Sequence, residues 1–196
     1  MRRIKTMRYI TMLGLALLAA SAIAGASAIS VSASGDEFYA SKSGKVVAKS
    51  TNEQIFSTAA GTIECESASG TGEVVAGSTT SNKEVVTYSG CTGLDTGITI
   101  TAVHFEFKAS GLTKIEKSVT VTPEGAGCQV IIPAQTVESV TYTNASGKVT
   151  AAASISKIHS HGTGGFCGSE EETGGSYSGS LKSEYESGTG TLEWKS

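Results

Sequence analysis

Arginine is almost absent from this 196-residue chain, since Arg2, Arg3 and Arg8 near the N-terminus are the only ones. Residues 29–196 carry 11 lysines against 18 acids, a net charge of −7, whereas the whole chain has a net charge of −3. Arginine commonly recognises phosphate and carboxylate groups, and nucleic-acid-binding proteins carry a basic surface. The composition therefore argues against DNA, RNA and anionic lipid head groups as partners.

Strong helix formers are also scarce. After residue 28 only four leucines remain, Leu94, Leu112, Leu181 and Leu192. Valine, isoleucine, threonine and aromatic residues supply most of the apolar content, and these residues favour strands over helices. The size of residues 29–196 suits one domain. We therefore predict a single all-β domain over this range.

Catalytic and metal-binding motifs are missing as well. The chain has no G-x-S-x-G motif, and its only aspartates, Asp36 and Asp95, are too few for calcium loops built on spaced aspartates. Ser154-Ile155-Ser156-Lys157 matches S-x-x-K, but it falls in a strand pattern rather than at a helix start. We predict that the protein is not an enzyme and that it uses no cofactor.

The first 28 residues have the three parts of a secretory signal in the required order. Four cations, Arg2, Arg3, Lys5 and Arg8, precede an apolar stretch that ends at the small-residue triplet Ala26-Ser27-Ala28. We predict cleavage after Ala28 and a secreted or cell-surface protein that is not inserted in the membrane. The alternative is an uncleaved anchor, because the span 9–28 approaches the roughly 20 residues that a bilayer helix needs.

Alternation with a period of two indicates the strands. Between Ser176 and Glu186 the odd-numbered residues share one face and the even-numbered residues share the other, which is typical of a half-buried strand. Shorter runs with strand character occur at 63–66, 84–89, 117–122, 128–132, 139–143 and 191–194, separated by glycine-rich turns. An antiparallel β-sandwich follows, with a β-barrel as the alternative.

Two runs change their parity. Ile98 and Ile100 share one face, but Val103 and Phe105 share the other. The alternation that reaches Ile155 likewise gives way to Ile158. We predict a β-bulge or a change of sheet at the first place, and at the second a strand that crosses from one sheet to the other.

The four cysteines are Cys65, Cys91, Cys128 and Cys167. Their even number, the lack of C-x-x-C spacing and the predicted export favour disulfides over zinc binding or thiol catalysis. Three pairings are possible. We favour Cys65–Cys91 with Cys128–Cys167, because neither interleaves the other, and we expect roughly 3 to 4 kcal/mol from each.

The longest stretch without a strand pattern is His161–Gly175, which contains six glycines and the acid run Glu170, Glu171 and Glu172. Loops often carry function, so we predict a binding loop here, tethered by Cys167. A surface connection without function is the alternative. His159 and His161 have a spacing found in metal sites, but two ligands do not make a site. The acid run 170–172 could supply a third ligand only if the chain folded back, and we predict no metal.

Several strings resemble a family of exported hypothetical proteins from high-GC soil actinobacteria. They are Phe38-Tyr39-Ala40-Ser41-Lys42, Val86-Thr87-Tyr88-Ser89-Gly90-Cys91, Gly127-Cys128-Gln129-Val130-Ile131-Ile132-Pro133, Ser139-Val140-Thr141-Tyr142-Thr143-Asn144 and Gly190-Thr191-Leu192-Glu193-Trp194. The resemblance covers nearly all of the region after residue 28. It implies secretion and a single domain, and it transfers no activity.

The predicted function is that of a non-catalytic secreted or cell-surface module that contributes to the surface or binds a cell-surface or wall component. The alternative is a glycan-binding module, which requires exposed aromatic platforms with polar neighbours. Phe38 and Tyr39 point to opposite faces if extended, so one of the two is the best candidate for such a platform.

Overall fold

The computed structural model describes residues 35–58, 61–93, 95–168 and 171–196. These residues form sixteen β-strands and one short 3-10 helix, joined by turns. The strands are β1 (Glu37–Ala40), β2 (Gly44–Ser50), β3 (Gln54–Thr58), β4 (Gly61–Val74), β5 (Gly77–Thr79), β6 (Ser81–Gly93), β7 (Thr96–Ile100), β8 (Val103–Lys108), β9 (Thr113–Ile115), β10 (Val119–Pro123), β11 (Gln129–Ile132), β12 (Gln135–Val137), β13 (Val140–Ala145), β14 (Lys148–Thr163), β15 (Glu171–Tyr185) and β16 (Leu192–Lys195). The 3-10 helix is Gly165–Cys167. The predicted all-β class is confirmed, and the predicted signal segment, 1–28, lies outside the described residues.

Eight strands close into a hydrogen-bonded ring at one end of the molecule. Going round the ring, every neighbouring pair is antiparallel, and the order is β3, β4, β6, β7, β10, β11, β14, β15 and back to β3. The ring interior holds apolar side chains such as Ile63, Ile98, Val121 and Ile158, all of them buried. This end therefore has the closed pairing of the predicted barrel alternative.

The other end has two layers. Four long strands, β4, β6, β14 and β15, continue out of the ring, and with β2, β8 and β13 they form a curved sheet. The sheet curls until the Val140 N–H donates to the Gly111 carbonyl at 3.2 Å. A separate antiparallel sheet of β16, β1 and β5 packs against its inner face. This layered end is sandwich-like.

Three of the long strands change parity where the two ends meet. Adjacent residues are both exposed at Glu66–Ser67 in β4, at Ser89–Gly90 in β6 and at Ser156–Lys157 in β14. Gly90 has φ 63° and Lys157 has φ 61°. The β14–β15 register shifts between Ile155 and Ile158, so the predicted break in alternation is present, as an irregularity in the pairing of these two strands. The other predicted break separates β7 from β8. Both strands pair with β6, but the second partner of β7 is β10 and that of β8 is β9.

Both predicted disulfides are present. Cys65 and Cys91 lie directly opposite each other on β4 and β6, and both are buried. Cys128, immediately before β11, is joined to Cys167 in the 3-10 helix. One bridge therefore reinforces a strand pair within the ring, and the other fastens the connection between β14 and β15 to the ring's end.

Candidate functional site

A cavity of about 540 Å³ lies between the small sheet and the inner face of the curved sheet. Its apolar walls come from both layers, and they include Phe38, Ala40 and Leu192 of the small sheet and Phe107, Tyr142 and Leu181 of the curved sheet. These residues take their positions from strand alternation, because each points to the face between the layers. The volume falls within the range of small-molecule sites, roughly 300–1,000 Å³.

Hydrogen bonds fix the aromatic wall. The ring of Phe38 packs edge-on against Tyr142 with centroids 4.9 Å apart, and the Tyr142 hydroxyl donates to the Lys108 carbonyl at 3.0 Å. Trp194 lies 6.0 Å from Tyr142, and its indole N–H donates to the Ala109 carbonyl at 2.9 Å. Rigid aromatic walls with satisfied polar tips are suited to holding an apolar group.

Asn144 ties the small sheet to the curved sheet. Its side-chain amide donates to the Trp194 carbonyl at 2.7 Å, and its Oδ1 accepts from the Trp194 N–H at 2.8 Å. The Asn144 amide thus pairs with the edge of β16 much as a further strand would. The two layers that enclose the cavity are joined on this side by directional bonds as well as by apolar packing.

One acid lies in this apolar setting. Glu84 on β6 is only 5% exposed and lines the cavity together with Ser183 of β15. The Ser183 hydroxyl donates to Glu84 Oε1 at 3.1 Å, whereas Oε2 has no hydrogen-bond partner among the described residues. Burial raises the pKa of the Glu84 carboxyl, and the bond from Ser183 acts in the opposite direction.

Small residues beneath Glu84 make room for its carboxyl group. A Cβ atom added to Gly70 on β4 would lie 3.1 Å from Glu84 Oε2 and 3.0 Å from the Ala48 Cβ. Gly70 therefore allows the close approach of the acid to the sheet. The position of the carboxyl group is built into the surrounding strands.

The charges around the cavity are mostly negative. Glu73 and Glu193 line it in addition to Glu84. Among the described lining residues the one lysine is Lys83, and its ammonium group is paired with Glu116. Val75 lines the cavity and is 79% exposed, which places it at the mouth. The described lining includes no histidine or cysteine.

The sequence signal for Glu84 was present in its strand. Glu84 has the same parity as Val86 and Tyr88, both of which are buried, so alternation alone places an acid on an apolar face. Ser183 likewise shares a face with Leu181 and Tyr185. Neither residue is among the predicted site residues, because the acid run and the paired histidines are more conspicuous in the sequence than a single acid within a strand.

The stretch 161–175 is mostly strand, so the prediction of one long loop was wrong. His161 ends up in β14 opposite Glu171 of β15, and the Ser160 hydroxyl donates to Glu172 Oε2 at 3.3 Å. Glu170 lies outside the described residues. A Cβ atom on Gly162 would lie 1.9 Å from the Cys167 carbonyl oxygen, so this glycine permits a close backbone approach within a strand.

This segment and the cavity lie toward opposite ends of β14. Ten residues separate His161 from Ala151, which lines the cavity, and a strand of that length spans about 30 Å. The structure does not bring the predicted binding residues to the cavity, and their binding role stays a prediction. The described residues contain no group of three or more His, Cys, Asp or Glu side chains arranged to hold a metal ion.

The two candidate platform residues are both engaged. Phe38 packs on Tyr142, and the Lys195 ammonium group lies 4.2 Å from the centroid of the Tyr39 ring. In the described part of the chain, the large apolar side chains that are exposed are Val75 and Leu112, and neither is aromatic.

In comparisons with known proteins, no family model, no curated protein and no solved structure matches this chain. Among the described residues, no helix is both long enough and apolar enough to cross a membrane.

Proposed function

We propose that this protein is a non-catalytic extracytoplasmic binding protein that takes a small ligand into the cavity between its two layers. The observation that carries the proposal is the cavity itself, about 540 Å³ in volume, with aromatic walls and a single buried acid. Ligand sites are typically concave and largely apolar, with a few polar groups that fix orientation. The cavity fits that description.

Other features support the proposed location and the proposed lack of catalysis. The two disulfides are consistent with an extracytoplasmic location. The described lining has serine, threonine and glutamate side chains but no histidine to act as the base for a serine nucleophile, which favours binding over covalent catalysis.

The predicted alternative, a glycan-binding module, has less support. Sugar rings stack on open aromatic faces, and a lysine ammonium group already lies over Tyr39. No aromatic side chain is among the exposed residues in the ranges whose burial is described.

Blocking the cavity tests the proposal. Ala151 lines the cavity, and its neighbour Ala152 is exposed on the opposite face of β14. We expect Ala151→Phe to abolish binding of the neutral fluorophore N-phenylnaphthylamine, because the added ring occupies the ligand's space. Ala152→Phe adds the same ring outside the cavity and should bind as the wild type does. Binding is measured by fluorescence enhancement of the purified secreted protein.

Two results contradict the proposal. One is a wild-type protein that does not bind the fluorophore, and the other is an Ala151→Phe variant that is folded and binds it unchanged. Far-UV circular dichroism shows whether each variant is folded.

A further inference from the structure

The buried acid is incomplete in its hydrogen bonding. Three buried side-chain oxygens of the described residues lack a partner: Glu84 Oε2, Tyr88 Oη and Thr113 Oγ1. Of these three residues only Glu84 lines the cavity. Since buried polar atoms are generally paired in folded proteins, the missing donor points to a group that arrives with the ligand.

A donor in the cavity can reach this carboxyl group in two ways. The terminal torsion of a glutamate side chain is soft, so a modest rotation of the carboxyl group can turn an oxygen toward a donor in the cavity. The Ser183 hydroxyl, which donates its proton to Oε1, also keeps lone pairs with which to accept a bond. Glu84 and Ser183 together are therefore a site for a hydrogen-bond donor.

The surrounding charge favours a cationic donor over a neutral one. Glu73 and Glu193 add negative charge around the cavity, while the Lys83 ammonium group is held by Glu116. An acid in a low-dielectric setting interacts more strongly with a cation than the same pair does in water. Aromatic walls add to the preference, because the face of an aromatic ring attracts cations.

We propose that the ligand is an organic amine whose primary or secondary ammonium group donates to Glu84 and Ser183 while its apolar body packs against Phe38, Phe107 and Tyr142. A quaternary ammonium group fits less well, since it has no N–H to donate to the unpartnered oxygen. This inference rests on the proposed function, because it names the ligand of the same cavity.

The test uses four probes that share one apolar body and differ in their polar group. They are phenethylamine, phenethyl alcohol, phenylpropionate and the N,N,N-trimethyl derivative of phenethylamine, each measured by displacement of N-phenylnaphthylamine from the purified secreted protein. We expect the amine to bind roughly tenfold more tightly than the alcohol, as hydrogen bonds to charged groups do. Phenylpropionate should bind most weakly because its charge is repelled by Glu84.

Glu84→Gln should bring the amine and the alcohol to within about twofold of each other, because the attraction to a charge is lost. Glu64→Gln is the matched control: it makes the same change at an exposed position of β4 and should keep the preference for the amine. Ser183→Ala provides a second variant if Glu84→Gln does not fold, and it should weaken amine binding more than alcohol binding.

The test distinguishes a wrong amine assignment from a wrong proposed function. Equal binding of amine and alcohol to the wild type, equal binding of the trimethyl compound and the amine, or a preference that survives Glu84→Gln overturns the amine assignment alone. If the fluorophore itself does not bind the wild type, the proposed function is overturned together with the amine assignment.

Discussion

Glu84 occupies an interior position at which a carboxylate is costly. Its neighbours on the inner face supply one hydroxyl donor and no cation, because the nearby Lys83 ammonium group is paired with Glu116. The surface acids differ: the Glu106 and Glu184 carboxyls have lowered pKa values because each accepts a hydrogen bond from a lysine. Burial without a charge partner is therefore what distinguishes Glu84.

We predict that Glu84→Gln stabilises the unliganded protein at neutral pH. Between the ordinary glutamate pKa and the raised folded-state pKa, the folded protein keeps a proton that the unfolded chain has lost. The Glu84 contribution to the free energy of unfolding is therefore lost as pH rises through this window. The variant should be more stable than the wild type at neutral pH, because its uncharged amide avoids the cost of burying a charge.

Urea unfolding over a pH series measures the effect. The stability difference between Glu84→Gln and the wild type should grow from mildly acidic to neutral pH, while Glu64→Gln should show no such growth. A difference that does not change with pH would mean that Glu84 keeps its ordinary pKa in the folded state.

At the scale of elements, the strands β14 and β15 run further than their glycines suggest. The interior of this strand pair includes Gly162, whose hydrogen atom faces the Cys167 carbonyl where any side chain would clash. Gly174 on β15 has only Glu172 Oε1, at 4.0 Å, near the place of an added Cβ. The same residue type thus has two different roles within one hairpin.

We predict that Gly162→Ala destabilises the protein by about 2 kcal/mol or more, since the new Cβ must displace backbone at the Cys167 turn. Gly174→Ala should change stability by less than about 0.5 kcal/mol, as an open site does. Chemical unfolding of the two variants makes the comparison. Equal effects would mean that the 3-10 helix does not lie against β14.

The elements that sequence alone predicted are those with local signals. Alternation located β15, and parity breaks located the bulge at Lys157 and the division between β7 and β8. The predicted extent of β14 and β15 was too short. Glycine is common in loops but is also required at close backbone contacts within strands, and the sequence alone does not distinguish the two uses. The cavity could not be predicted, because it depends on pairing between β1 and β16, which lie at opposite ends of the described chain.

For the whole molecule, the two ends differ in what holds them together. The ring end is closed by strand pairing all the way round and carries both disulfides. At the cavity end the described residues join the two edges of the curved sheet by one backbone hydrogen bond, Val140–Gly111, and Asn144 ties the small sheet to the curved sheet. A binding site at the less constrained end is consistent with ligand entry. At the opposite end the two disulfides add stability to a chain that is rich in serine, threonine and glycine.

We predict that the exported protein begins at Ile29 and has no free thiol. Its intact mass should equal that of residues 29–196 less the four hydrogens of the cysteines, and non-reducing peptide mapping should recover Cys65 with Cys91 and Cys128 with Cys167. A chain that keeps Met1 and fractionates with membranes would support the uncleaved anchor.

The ring also imposes an order on folding. Its closing pair joins β3 to β15, with Phe56 opposite Tyr177, so residues more than half the chain apart must meet before the ring exists. Contacts of such long range require loop closure in advance and make folding slow. A chain emerging N-terminus first from an export channel cannot close its ring until β15 has followed. If the chain is exported as predicted, its fold is completed only after nearly all of it has crossed the membrane. Until then β3 has an unpaired edge on the side that later pairs with β15.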